Sequence, residues 1–212
     1  MRSSIFALFF IIALNANAQF YIGAEVSGDS LNREDELTDT LTIIQQEFNG
    51  AAVFGELEQG TFGGRVFAGY GITENFKLEA GLFGSIALDG KYQILSGSSS
   101  GTQLESEISI SGFDLSAKIL TPRIQILGDE IVFYGQAGLH RSKIDVKVSS
   151  SQLNNISIST DSSGTGLLLG AGYELPIEQF GGMRGGYKFY DSIGGENDFN
   201  IHKISIGFFV NL

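Results

Sequence analysis

RVFAGYGITENFKLEAGL, Arg65–Leu82, reads as two alternating runs around a turn. Val66, Ala68, Tyr70 and Ile72 share one parity, and Arg65, Phe67, Gly69 and Gly71 the other. Beyond Thr73-Glu74-Asn75, Phe76, Leu78, Ala80 and Leu82 alternate with Lys77, Glu79 and Gly81. A period of two is that of a β-strand, whose successive side chains point to opposite faces. Polar turn residues between two such runs predict a hairpin.

The same pattern recurs along the chain and predicts eight strands. The first, Gln19 to about Ser27, sets Phe20, Ile22, Ala24 and Val26 against Tyr21, Gly23 and Glu25. The fourth sets Phe113, Leu115, Ala117 and Ile119 against Asp114, Ser116 and Lys118, and ends near Pro122, which cannot continue a central ladder. In the fifth, Ile131, Phe133, Gly135, Ala137 and Leu139 oppose Tyr134, Gln136, Gly138 and His140. The sixth sets Leu167, Leu169, Ala171, Tyr173 and Leu175 against Gly170, Gly172 and Glu174. The seventh sets Met183, Gly185, Tyr187 and Phe189 against Arg184, Gly186, Lys188 and Tyr190. The last sets Ile204, Ile206, Phe208, Val210 and Leu212 against Lys203, Ser205, Gly207, Phe209 and Asn211.

One face of every strand is apolar, and the other is glycine, hydroxyl or charge. That is the pattern of a barrel with lipid outside and a polar interior; a soluble barrel holding an apolar ligand inverts it. The expected fold is all-β: an eight-stranded antiparallel up-and-down transmembrane β-barrel over residues 19–212. The connections Gly28–Gly60, Asp89–Gln103, Ser149–Gly164 and Asp191–Asn200 read as four long loops at the outer end, and Thr73–Asn75 and Pro176–Phe180 as short turns at the other. Thr121–Glu130 is a longer turn on the short side. Parity slips twice: Ile108 and Ile110 oppose Phe113 and Leu115, and Ile144, Val146 and Val148 oppose Leu139. Each slip reads as a bulge or as a strand extension above the bilayer.

Composition agrees. With 29 glycines, 17 phenylalanines, 7 tyrosines and 2 prolines, the chain resembles neither a disordered linker nor a helical domain. Met1–Ala18 reads as a cleaved secretory signal for the Sec pathway: Arg2, then the apolar run Ile5–Leu14, then Ala16-Asn17-Ala18. With no cysteine there is no disulfide, acylated N-terminal cysteine or thiolate ligand. A net charge of -11 disfavours nucleic acid as a partner.

The stretches NFKLEAGL (Asn75–Leu82), GFDLSAKI (Gly112–Ile119), Glu174 to Phe189 and ISIGFFVNL (Ile204–Leu212) resemble the OmpA transmembrane domain and its small relatives such as OmpX. The resemblance implies a bacterial outer-membrane protein whose barrel interior carries a charge quartet of two acids and two bases, at Glu79, Lys118, Glu174 and Arg184. Charges inside a narrow barrel must be paired or hydrated to offset their desolvation, which points to the same residues. It also implies a C-terminal assembly signal at Ile204, Ile206, Phe208, Val210 and Leu212, read by the barrel assembly machinery, although such barrels usually end in Phe. Without tryptophan, the interfacial aromatic girdle falls to Tyr70, Tyr173, Tyr187 and Phe189. The chain ends with the last strand, so no peptidoglycan-binding domain is expected.

The functional expectation is a monomeric, structural or surface-interacting barrel, serving envelope integrity or adhesion, that contacts lipid and lipopolysaccharide and offers its outer loops to a host or surface ligand. The alternative is a narrow pore gated by partner exchange within the quartet. Neither a cofactor nor a metal is expected: Asp29, Glu34, Asp35, Glu36, Asp39, Glu47, Glu56 and Glu58 lack the spacing of a calcium loop and read as solvated. Within that loop Leu41–Phe48 reads as a short amphipathic helix or a strand extension. His140-Arg141-Ser142 has the His-x-Ser spacing of lipid A deacylases, the remote enzymatic alternative. His140 falls on the interior parity, however, and the only other histidine, His202, lies far along the chain, so no enzyme is expected. Gly164-x-Gly166 opens no helix and so cannot form a dinucleotide loop. The Asn155-Ile156-Ser157 sequon is a pattern only.

Overall fold

The computed structural model describes residues 19–32, 53–57, 60–95, 100–126, 128–150, 156–177, 180–195 and 199–212. The expected signal segment 1–18, the stretch 41–48, Asn155 and the acids Glu34, Asp35, Glu36, Asp39, Glu47 and Glu58 lie outside the described residues, as does the side chain of Glu56.

The strands are β1 (Gln19–Asn32), β2 (Val53–Leu57), β3 (Gly60–Thr73), β4 (Phe76–Ser85), β5 (Leu88–Ile94), β6 (Gln103–Leu120), β7 (Ile124–Ile126), β8 (Asp129–Ser150), β9 (Ile156–Ile177), β10 (Gly181–Tyr190) and β11 (Asn200–Asn211). Strands β1, β3, β4, β6, β8, β9, β10 and β11 pair antiparallel, each with the next, and β11 returns to β1. The ring therefore closes, and closure satisfies backbone groups that have no water to turn to. Following the register from Glu174 through Arg184, Gly207, Glu25, Arg65, Phe83, Gly112 and Ser142 leads back to β9 at Gly164, ten residues up the strand. A stagger of that size tilts the strands by about 40° to the barrel axis.

The lower part of the ring, at the turn end, is apolar outside. Leu115, Leu139, Leu167, Ile206 and Phe208, on β6, β8, β9 and β11, are each more than half exposed. The nine residues from Ile204 to Leu212 match the roughly 9–11 that a tilted strand needs to cross hydrocarbon. Inside this belt lie charges and glycines.

The loop end corrects several expectations. Of the two readings of the parity slips, strand extension holds and the bulge does not, because β6 and β8 pair without interruption from Glu105↔Ser149 to Leu120↔Tyr134. The strands continue past the belt with the same parity while the polarity of each face inverts. Glu105, Glu107, Arg141, Lys143 and Lys147 point outward, and Leu104, Ile108, Ile110, Ile144 and Val148 are buried inside. Once water replaces lipid around the wall, the apolar residues move to the interior. The expected loops shrink for the same reason. Asp89–Ile94 of the expected loop Asp89–Gln103 belongs to β5, paired to β6 and β2; β9 begins at Ile156; and β1 runs to Asn32. One irregularity was not expected: interior parity is odd in β4 (Glu79, Phe83) but even in β5 (Leu88, Tyr92), the two strands being separated at Ile86 and Ala87. Thr121–Glu130 is not an open turn but contains a β7–β8 hairpin.

An arginine in mid-belt is expected to cost about 2–4 kcal/mol in a bilayer. Phe208→Arg, at the middle of the Ile204–Leu212 run, should lower the free energy of urea unfolding in phospholipid vesicles by this amount, read by circular dichroism, while Ser109→Arg above the belt should leave it unchanged. Equal effects would refute the placement of the belt.

Candidate functional site

The residues that alternate with the lipid-facing ones converge on the axis. Glu79 on β4 is the hub. Its Oε1 accepts from Lys118 Nζ at 2.6 Å, Arg184 Nη1 at 2.7 Å and the Tyr21 hydroxyl at 2.9 Å, and its Oε2 from Arg65 Nη1 at 3.2 Å. Lys118 also donates to Glu174 Oε1 at 3.1 Å. The four residues expected from the sequence are thus brought together, all 2 % exposed or less.

They are less than half of the network. Glu25 accepts from Arg184 Nε at 2.7 Å and from Lys188 Nζ at 2.5 Å. Asp114 holds Arg65 by two parallel bonds, from Nε at 2.8 Å and Nη2 at 2.6 Å, a geometry only a guanidinium offers. Lys77 donates to Glu174 Oε2 at 2.8 Å. Toward the loop end, Asp29 accepts from Lys203, from Ser27 at 2.6 Å and from Ser85 at 2.6 Å. Asp29 is therefore not a solvated loop carboxylate as expected: β1 continues past Ser27 and keeps its odd positions inside. In all, five carboxylates meet six bases, so the interior is close to neutral and the acidity of the chain lies elsewhere. Bases also cover aromatic faces: the Arg184 guanidinium carbon lies 3.4 Å from the Phe67 ring centre, and Lys118 Nζ 4.2 Å from that of Tyr134. The residues missed by the sequence reading, Glu25, Arg65, Lys77, Asp114, Lys188 and Lys203, all stood on the polar parity, and that parity was the signal available for them.

Above the charges sits an apolar stopper. Ile193, Phe199, Ile201, Leu168 and Tyr190 are 1 % exposed or less and pack with Leu31, Phe83, Leu88, Ile108, Ile110 and Ile144. The stopper includes the turn Ile193–Gly195, which folds into the mouth with Gly194 and Gly195 at φ 68° and 88°. It fits because Gly164 and Gly166 carry no side chain; a Cβ on Gly166 would lie 1.9 Å from the Asp191 carbonyl oxygen. His140 Nε2 donates to that oxygen at 2.6 Å, Gly194 N donates to Ser142 Oγ at 2.9 Å, and Ser162 Oγ donates to Gly194 O at 2.8 Å. The His-x-Ser pair thus faces inward and holds a loop. The Gly-x-Gly pair lies within β9 and admits that same loop.

At the turn end the barrel opens into a cavity of about 690 Å³, with Lys77, Glu174, Tyr21 and Phe209 among its lining. Of the aromatic girdle residues, Tyr70 lies at this end, its ring 4.7 Å from Phe20. Tyr173 is opposite Phe133 on the outer face. Tyr187 and Phe189 lie toward the loop end beside His202, with 2.5 Å between the Tyr187 hydroxyl and His202 Nδ1. The side chains of Ile204, Ile206, Phe208, Val210 and Leu212 all point outward.

Removing one partner of a buried ion pair leaves the other charge uncompensated, at about 3–5 kcal/mol. Lys118→Met is expected to destabilise the barrel by that amount in urea unfolding. Arg123→Met, which breaks the exposed pair with Glu130, should leave stability unchanged.

The chain matches the family model described as outer membrane protein beta-barrel domain over residues 4–211. No curated protein matches it in sequence. Among solved structures, Ail, the attachment invasion locus protein of Yersinia pestis, is similar at a TM-score of 0.55 with 12 % identity, covering 92 % of this chain and 99 % of Ail. Neisserial surface protein A is similar at 0.49 with 14 % identity, covering 92 % and 98 %. OprG from Pseudomonas aeruginosa is similar at 0.49 with 12 % identity, covering 91 % and 96 %. A closed antiparallel ring, an apolar outer belt and a matching family model lead to one assignment: the chain belongs to the outer membrane protein beta-barrel domain family.

Proposed function

We propose that the protein is a closed, eight-stranded barrel that acts as a monomeric surface-display scaffold of the bacterial outer membrane, with its loop end outside the cell and its turn end in the periplasm. The observation that carries this reading is the double obstruction of the lumen, by the ion-pair network around Glu79 and by the apolar stopper at Ile193 and Phe199. Partner exchange within the charges alone leaves the stopper in place, so the pore reading is disfavoured. What the fold offers to the outside is the wall that rises beyond the belt on β5, β6, β8 and β9, with polar outward residues and interstrand pairing that hold it rigid. Envelope support or adhesion through this wall and its loops follows. The signal segment directs export, the outward apolar residues of β11 serve assembly, and Tyr70, Tyr173, Tyr187 and Phe189 mark the two edges of the membrane.

The absence of cysteine allows a direct test. In intact cells, a membrane-impermeant maleimide is expected to label Ser109→Cys and not Glu74→Cys; the reverse would invert the orientation. In planar bilayers the purified protein and its Glu79→Gln variant are both expected to be silent, and reproducible conductance steps in either would overturn the closed-barrel reading.

A further inference from the structure

The outward bases at the loop end are unevenly distributed. Among the described residues they are Lys91, Arg141, Lys143 and Lys147, and three of the four stand on the same face of β8. In a chain of net charge -11, such a stripe stands out against its own background. The residue nearest the belt is Arg141. It is the first outward position above Leu139, whose neighbours in register are Leu115 on β6 and Leu167 on β9, each 51–60 % exposed.

The next rows turn polar except at Phe113, which is exposed beside Arg141. Arg141 lies between Phe113 and Thr165, and Lys143 between Ser111 and Ser163. The hydroxyls of Ser111, Ser163 and Thr165 thus flank two bases across three strands, a patch about 10 Å wide at the usual strand spacing. Lys143 donates to Asp145 at 2.5 Å, and Asp161 lies 3.7 Å away, so its charge is largely balanced. Among the described residues Arg141 makes no ion pair. Its guanidinium is an unneutralised cation with forked donors, placed where hydrocarbon gives way to headgroups.

We propose that Arg141, with Lys143 and the hydroxyls of Ser111, Ser163 and Thr165, binds a phosphate of a phosphorylated glycolipid of the outer leaflet, whose acyl chains lie on Leu115, Leu139 and Leu167. The inference rests on the orientation proposed above. A guanidinium grips phosphate by two parallel bonds, and hydroxyls complete the shell. The apolar row directly below selects a lipid-anchored phosphate over a free one, because only the former fills both halves of the surface. Asp145 and Asp161, one row higher, repel a phosphate that rides above the membrane edge and so fix its height.

The test uses the full mature protein folded in neutral detergent, with bisphosphorylated lipid A and its dephosphorylated, acyl-matched form as probes, and retention read by native mass spectrometry. Wild type is expected to retain the bisphosphorylated lipid about tenfold more strongly, a preference that Arg141→Gln abolishes and Arg141→Lys retains in part. Lys91→Gln, on β5, should behave as wild type, and inorganic phosphate should not compete. Equal retention of the two lipids, an Arg141→Gln variant that keeps the preference, or displacement by inorganic phosphate would each overturn the proposal. Gel mobility with and without heating, run on every variant, reports folding. Maleimide labelling of Ser109→Cys reports orientation, so failure of the site is distinguishable from failure of the scaffold reading.

Discussion

Strand β1 pairs with β11 from Tyr21↔Asn211 to Asn32↔Asn200, and on this seam between first and last strand everything else depends. Open, it would leave two strand edges in hydrocarbon, each with a row of unpaired amides. Closed, it fixes the stagger, and the stagger decides which side chains share a level inside. Glu25 meets Arg184 across 159 residues and Lys188 across 163, contacts that no local structure brings about. The ion-pair network is a consequence of ring closure as well as a contributor to it.

The wall is written for two solvents with one alphabet. A strand in lipid places apolar residues outward, and a strand in water places them inward; β6 and β8 do both in succession without breaking pairing. The interior follows suit. Charges paired with charges fill the part surrounded by lipid, where glycines such as Gly81, against the Arg65 side chain, leave room for long bases. An apolar cluster fills the part surrounded by water, as in any small soluble sheet protein.

The strand pattern, the lipid-facing parity and the ring were legible in the sequence because a period of two needs no tertiary information. So were four of the interior charges. The rest of the network was on the page in the same parity, but two acids and two bases already balance, and nothing local announced Arg65 or Lys188 as further members. The extensions of β6, β8 and β9 were harder. Their polarity inverts where the solvent changes, and a sequence carries no mark of where a bilayer ends, so Ile108 and Ile144 read equally well as bulges or as the strand extensions they are. The roles of His140, Ser142, Gly164 and Gly166 were hidden for another reason: each is defined by the segment Asp191–Gly195, which lies 25 or more residues away in the chain and reaches them only once the barrel has closed.

The level at which polarity inverts is shared by neighbouring strands: Leu115, Leu139 and Leu167 form the last wholly apolar row, Phe113, Arg141 and Thr165 a mixed one, and Ser111, Lys143 and Ser163 the first wholly polar one. Such a line works as a draught mark on a hull. Sinking the barrel by one row would drag Arg141 into hydrocarbon, and raising it would strand Leu139 in water, so a single depth suits the wall. Because the wall is tall on the β8 side and ends sooner at β10, whose pairing with β9 stops at Tyr190↔Leu168, that depth also gives the protruding part a front and a back. Neighbouring molecules in the membrane therefore meet a different height of wall according to the side from which they approach.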